Sequence, residues 1–106
     1  MSEAIKFDED KPRMDLVPWD AVMEVARVLA LGSVKYGDRN WEHGFQYSRL
    51  YGAVFRHMAL AASGESADPE TGRLHLSHAA CSILMLLATV MRDHDGSLDD
   101  MPKVAR

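Results

Sequence analysis

Residues 79–91, AACSILMLLATVM, are almost wholly apolar, and they follow directly on GESADPETGRLHLSH at 64–78, a stretch rich in carboxylates, turn residues and histidine. A run this apolar must be hidden on most of its sides, and it is shorter than the roughly 20 residues that cross a bilayer. A helix from about Arg73 to Arg92 is therefore expected at the centre of a helical bundle. Two neighbouring helices are too few to cover it in a chain of 106 residues, so a second copy is expected to complete its burial.

The neighbours are legible from spacing. Val22, Val25, Ala26 and Leu29 recur with helical period after VPWD, where Pro18 suits a first turn and Asp20 suits the positive end of the dipole. The pattern fades in LGSVKYGDRNWEHG. A second helix is expected over about Ser48–Ser63, with Leu50, Val54, Met58 and Ala61 as its seam and Gly64 as its end. DPETG, with Pro69 and Gly72, reads as a turn. Residues 1–17 read as a polar arm and 93–106 as a tail, frayed or used in assembly. With no strand alternation, the expectation is one all-α domain over 1–106, a bundle of about three helices assembled as a homo-oligomer.

Composition removes several classes of function. Net charge is −4 with no Lys/Arg run, which excludes a duplex nucleic-acid binder of the usual basic kind. One cysteine, Cys81, makes neither an intrachain disulfide nor a zinc knuckle and reads as a small buried thiol of a reducing compartment. The N-terminal residues lack an apolar segment, so a cytoplasmic protein with no membrane partner is expected. Asp93-His94-Asp95 has no second His and Asp to complete a phosphohydrolase pair. Ser-His-Asp order, a Walker loop and the Rossmann glycines are all missing.

Two clusters carry chemistry. His75 and His78, three apart, share a helix face, with Glu65 and Asp68 just before them and His57 on the preceding helix. An antiparallel hairpin brings all five near its open end, as a metal or catalytic site or as loop caps and structural histidines. In KYGDRNW, Lys35 and Arg39 are cations, Tyr36 and Trp41 are flat faces and Asn40 is an amide able to read a base or sugar edge. That mixture suits a nucleotide, or equally a tight loop with Trp41 plugging the core. Arg49 and Arg56 face a phosphate or pair with Asp20 and Glu24. Lys11 and Arg13 belong to an exposed turn.

Taken together, KFDEDKPRMDLVP, GSVKYGDRNWEHG, RLYGAVFRHMALAASGE and DPETGRLHLSHAACSILML resemble the phage dATP/dGTP diphosphohydrolases (N-terminal domain), a MazG-like group, over residues 5–92. The resemblance implies an oligomeric all-α enzyme that cleaves a purine deoxynucleoside triphosphate to the monophosphate and pyrophosphate with Mg²⁺ or Mn²⁺. Glu65, Asp68, His75 and His78 would hold the metal, with Glu65, Asp68 and His78 also acting on the attacking water. Lys35, Tyr36, Arg39, Asn40, Trp41, Arg49, Arg56 and His57 would bind the substrate. MazG-type enzymes carry Glu-x-x-Glu and Glu-x-x-Asp; here Glu65-x-x-Asp68 and His75-x-x-His78 stand in those places, and imidazole suits Mn²⁺ or Zn²⁺ better than Mg²⁺. The same cations and aromatics fit a rival of another class, a non-catalytic sponge that sequesters a signalling nucleotide such as a cyclic dinucleotide in antiviral defence. A helical scaffold is the third alternative.

Overall fold

The computed structural model describes residues 3–104. The described residues form three α-helices, α1 (Trp19–Tyr36), α2 (Tyr47–Ala62) and α3 (His75–Arg92), with 3-10 turns at Met14–Leu16 and Asn40–His43. Apart from a single bridge between Ala67 and Leu74, no β-structure occurs among the described residues. The expected all-α architecture is present. Pro18 lies one residue ahead of α1, and its carbonyl accepts the first helical bond from Val22.

The central helix is α3, which packs antiparallel to α2 and, less extensively, against α1. At one end of the α2–α3 pair, Tyr47, Leu50 and Leu86 form a buried cluster joined by Phe45, Tyr51, Met85, Leu98 and Met101. Along α2 the buried positions are Tyr47, Leu50, Val54 and His57. The expected seam ran on to Met58 instead, which is 48% exposed. On α1 only Val25 is buried, while Val22 and Ala26 face outward, because α1 meets one neighbour rather than two.

The segment after α3 is not a frayed tail. It turns back across the start of α2: the Leu98 carbonyl accepts a bond from Tyr47 N–H at 3.0 Å. Asp100 Oδ1 accepts one from Ser48 N–H at 2.8 Å, and Asp93 Oδ2 accepts from both Tyr47 Oη and Leu98 N–H. Asp100 thus supplies, from a distance in sequence, the N-terminal cap that Gln46 lacks. Gly44 permits the close passage of this strap. Its φ is 100°, and a Cβ there would stand 3.2 Å from Leu98 Cδ1.

The chain exposes 8554 Å², roughly 2,600 Å² more than a compact monomer of its mass presents. Its radius of gyration is 17.7 Å, against about 13 Å for a compact domain of this length. On α3, Leu76, Ile83, Leu84, Leu87, Val90 and Met91 are all exposed. With 18 residues and a mean hydropathy of 1.2, α3 is long and apolar enough by composition to span a bilayer, although the apolar run inside it is short. Its buried face nevertheless carries His75, Ser77 and Thr89, each set against protein groups.

Leu86→Ala empties a buried position and is expected to cost about 2–4 kcal/mol, whereas Leu98→Ala, half-buried in the strap, should cost roughly 1–2 kcal/mol. Urea unfolding at one fixed protein concentration measures both. Wild-type stability for Leu98→Ala would mean that the strap contributes nothing to the fold.

Candidate functional site

The site is built at the open end of the α2–α3 hairpin. After Ala62 the chain turns at Gly64, with φ 107°, and Glu65 N–H reaches back to the Leu60 carbonyl. A miniature hairpin follows, closed by His75 N–H to Ser66 O at 2.9 Å and Asp68 N–H to Arg73 O at 2.8 Å. Gly72, with φ 74°, makes the turn possible. Asp68 Oδ1 accepts a bond from Glu70 N–H, which leaves Oδ2 facing His78 Nε2 at 3.3 Å.

Three imidazoles meet below this turn. His57 comes from α2, and His75 and His78 come one turn apart from the start of α3. The His57 and His75 rings are joined Nδ1 to Nδ1 at 2.9 Å, and the His57 and His78 rings stack at 4.7 Å. His78 Nε2 also meets Thr71 Oγ1 at 2.7 Å. His75 is 2% exposed, and its Nε2 has no hydrogen-bond partner, although Glu65 Oε2 stands 3.5 Å away. Burial lowers the His57 pKa, helped by the nearby His78, Arg56 and His75. Burial also lowers that of His78, against the opposing pull of Asp68. Neutral imidazoles of this kind act as metal ligands or proton acceptors.

His57, Asp68 and His78 can each present a ligand atom within 4.8 Å of the others. Two nitrogens and one carboxylate oxygen fit a borderline ion such as Mn²⁺, Fe²⁺, Co²⁺ or Zn²⁺, and suit Mg²⁺ poorly. Of the expected metal set, Asp68 and His78 are thus joined by His57. Glu65 and His75 form a separate pair behind them.

The histidines line one end of a cleft of about 860 Å³ bounded by the C-terminal half of α1, the Asn40–His43 turn, α2, α3 and the 64–72 loop. His78, Cys81, Ser82 and Met85 line it from α3, and their spacing places them on one helical face. Lys35, Tyr36, Arg39, Asn40, Trp41 and Arg56 all border it. Arg49 does not, lying instead over the Phe45 ring. Burial pushes the Cys81 thiol up to about 11, so it is an inert wall.

Residues 2–100 match the family described as dATP/dGTP diphosphohydrolase, N-terminal. The chain belongs to this family. It is 42% identical over 82 residues to a dATP/dGTP diphosphohydrolase of Salmonella phage PMBT28, a match covering 77% of this chain and 28% of the relative. The aligned stretch is therefore under a third of that relative's length. No solved structure matches the chain.

In this diphosphohydrolase-family domain the cleft cations differ in availability. Lys35 pairs with Glu70 at 3.1 Å and Arg39 with Glu42 at 3.2 Å. Glu24 is taken up by Arg27 and Arg73, not by Arg49 or Arg56. Arg56 has no ion-pair partner among the described residues, and it stands next to His57 in the sequence. Trp41 borders the cleft with the Arg92 guanidinium 5.3 Å from its ring centre. Phe45 and Thr71, not anticipated from sequence, complete the wall. Thr71 gave no local signal, whereas Cys81, Ser82 and Met85 follow from extending the face of His78 by helical spacing.

The lowered pKa values have a signed consequence. As pH falls, the unfolded chain takes up protons at ordinary histidine values near 6.5 before folded His57 and His78 do. Their contribution to stability is full above that pH and is lost progressively below it, down to the folded pKa values. The urea midpoint of the metal-free protein should therefore fall below pH 6.5, and His57→Gln/His78→Gln should flatten that fall. An equal slope in the variant would assign the pH dependence to other groups.

Proposed function

We propose that this domain binds a purine deoxynucleoside triphosphate, dATP or dGTP, and hydrolyses it to the monophosphate and pyrophosphate. The observation that carries the reading is the meeting, in one cleft, of the His57–Asp68–His78 group, the unpaired Arg56 and the aromatic wall of Trp41 and Phe45. The family, and the phage relative's name, support the choice of reaction and base.

From His78 to Met85 the α3 face runs roughly 10 Å, a length that separates the phosphate end from the aromatic end of one nucleotide. Arg56 meets the phosphate oxygens directly, and Lys35 joins it by exchanging Glu70 for the substrate. Both neutralise charge that grows on the departing pyrophosphate. Trp41 and Tyr36 offer faces to the base, and Asn40 an amide edge. Oxygen of the attacking water bonds to the α-phosphorus as the bridging bond to the β-phosphate breaks. Asp68, at the centre, and Glu65, at the rim, are the carboxylates able to accept the proton that the water loses. His57, Asp68 and His78 would hold a divalent ion, which would supply Lewis-acid stabilisation of the phosphate charge.

The excess surface and the apolar outer face of α3 support assembly of the domain with a second copy of itself. An interface that removed this excess would fall in the range of permanent homo-oligomers.

Incubation of the protein with each deoxynucleoside triphosphate and Mn²⁺ or Mg²⁺, followed by anion-exchange separation, should yield monophosphate and pyrophosphate from dATP or dGTP. Intact triphosphate recovered tightly bound would make the domain a binding module. Arg56→Ala should weaken triphosphate binding roughly 10-fold or more while sparing the free nucleoside, and equal weakening of both would give Arg56 a structural role.

Light scattering at micromolar concentration should give a multiple of the 11.8 kDa chain mass. A single-chain mass would refute the assembly.

A further inference from the structure

The short contact between His57 and His75 raises a question of proton placement that the surrounding charge answers. Two ring nitrogens 2.9 Å apart share one proton, so with both rings neutral one Nδ1 donates and the other accepts. If His75 donated, its Nε2 would be a bare lone pair, 2% exposed as a residue and facing the Glu65 carboxylate at 3.5 Å. Lone pair would oppose negative charge at a nitrogen that is itself shut off from water. If His57 donates, the same Nε2 carries the hydrogen and presents it to Glu65. Among the described residues this nitrogen is the one buried side-chain polar atom left without a partner. Glu65 lies on a loop with its side chain 43% exposed, and it is free to close the remaining distance.

We propose that Glu65 and His75 form a relay that fixes the tautomer of His57, holding its proton on Nδ1 and leaving Nε2 as a bare lone pair for the group it forms with Asp68 and His78. Glu65 accepts from His75 Nε2–H, His75 Nδ1 accepts from His57 Nδ1–H, and His57 Nε2 is the free end of the chain. Hydrogen-bonded carboxylates and imidazoles behind a ligating histidine orient the ring and raise its basicity. His75, expected from sequence to be a ligand, is thereby a positioning residue. Glu65 sets the polarity of the relay because its carboxylate is the charged group that faces His75 Nε2, at 3.5 Å. The arrangement also explains why a histidine occupies the most buried position at the start of α3, where an apolar residue would fill the space equally well. The consequence for metal affinity rests on the reading of the cleft given above; the tautomer itself does not.

Two-bond ¹H–¹⁵N correlation spectra of the full chain, metal-free and at about pH 8, where an ordinary histidine is neutral, read the tautomer of each ring directly. His57 is expected as the Nδ1–H form and His75 as the Nε2–H form. In Glu65→Ala the tie-breaker is gone, and His57 should become a mixture of tautomers with the backbone amide spectrum preserved. Glu65→Gln, whose uncharged amide can either accept from a His75 Nε2–H or donate to a bare Nε2, should likewise leave a mixture. His57 found as the Nε2–H form in the unmodified protein, or unchanged in Glu65→Ala, would overturn the relay. Titration with Co²⁺, followed by its visible absorption, should show affinity lowered roughly 10-fold or more in Glu65→Ala. Equal affinity in the two proteins would refute the relay's effect on the ligand. Failure of the unmodified protein to bind Co²⁺ would refute the metal reading of the cleft, and the spectra would still decide the tautomer.

Discussion

The antiparallel pairing of α2 with α3 sets every other distance in the molecule. At its closed end the pairing is apolar, with Tyr47, Leu50 and Leu86 packed together and the Leu98–Met101 strap laid across them. At its open end it is polar, because the same two seams run on into His57 and His75. Burying imidazoles without partners costs several kcal/mol, so the open end is stable only where the rings satisfy one another and the 64–72 loop. The loop in turn holds Asp68 and Thr71 over His78 through the bridge at Ala67 and Leu74. The apolar end supplies stability, and the polar end is held in place by it.

This division explains which features could be read from the chain. Local ones could: the three helices, expected within a residue or two of 47–62 and 75–92 and from VPWD for the first, follow from apolar period, from Pro18, and from Gly64 and Gly72 at the turns. The clustering of His57, Asp68 and His78 was legible only in outline, because sequence places them at one end of a hairpin without choosing which nitrogens meet. The α2 seam shows the difficulty. His57 and Met58 are adjacent, either continues a helical stripe, and hydrophobicity chooses Met58. Tertiary structure chooses His57 because His75 and His78 stand opposite it. The strap was missed for a related reason. Asp93–Asp100 is rich in Asp, Gly and Ser, a composition that reads as solvated loop, and its partners Tyr47 and Ser48 lie about half the chain away. Capping across such a separation leaves no local signature.

The α1 helix was over-read in the opposite sense. Its stripe is a genuine amphipathic pattern, yet Val22 and Ala26 lie open. An amphipathic pattern marks a helix face as apolar without recording what, if anything, covers it. The same logic applies to α3, which is apolar on two sides. One side meets α2 and α1, and the other, with Leu84, Leu87 and Met91, is largely exposed.

Histidines stand here where the resemblance to MazG-type enzymes implies carboxylates, and the difference bears on what kind of site the cleft can be. A four-carboxylate set carries a large negative charge, repels a triphosphate until metal is bound, and is suited to hard, hydrated Mg²⁺. Two neutral imidazoles and one carboxylate carry at most one negative charge, so the His57–Asp68–His78 group by itself repels a phosphate anion less than four carboxylates would, with Arg56 beside it and Asp38, Glu42, Glu65 and Glu70 elsewhere in the cleft wall. The cost is that neutral rings need their tautomers specified, a problem that carboxylates do not have. A histidine site therefore needs a second layer of groups behind the first. In this chain that layer is present in the fold behind His57, as Glu65 and His75. Imidazole chemistry thus accounts for residues that would otherwise look redundant, and it ties the polarity of the 64–78 stretch to the apolar helix that follows it.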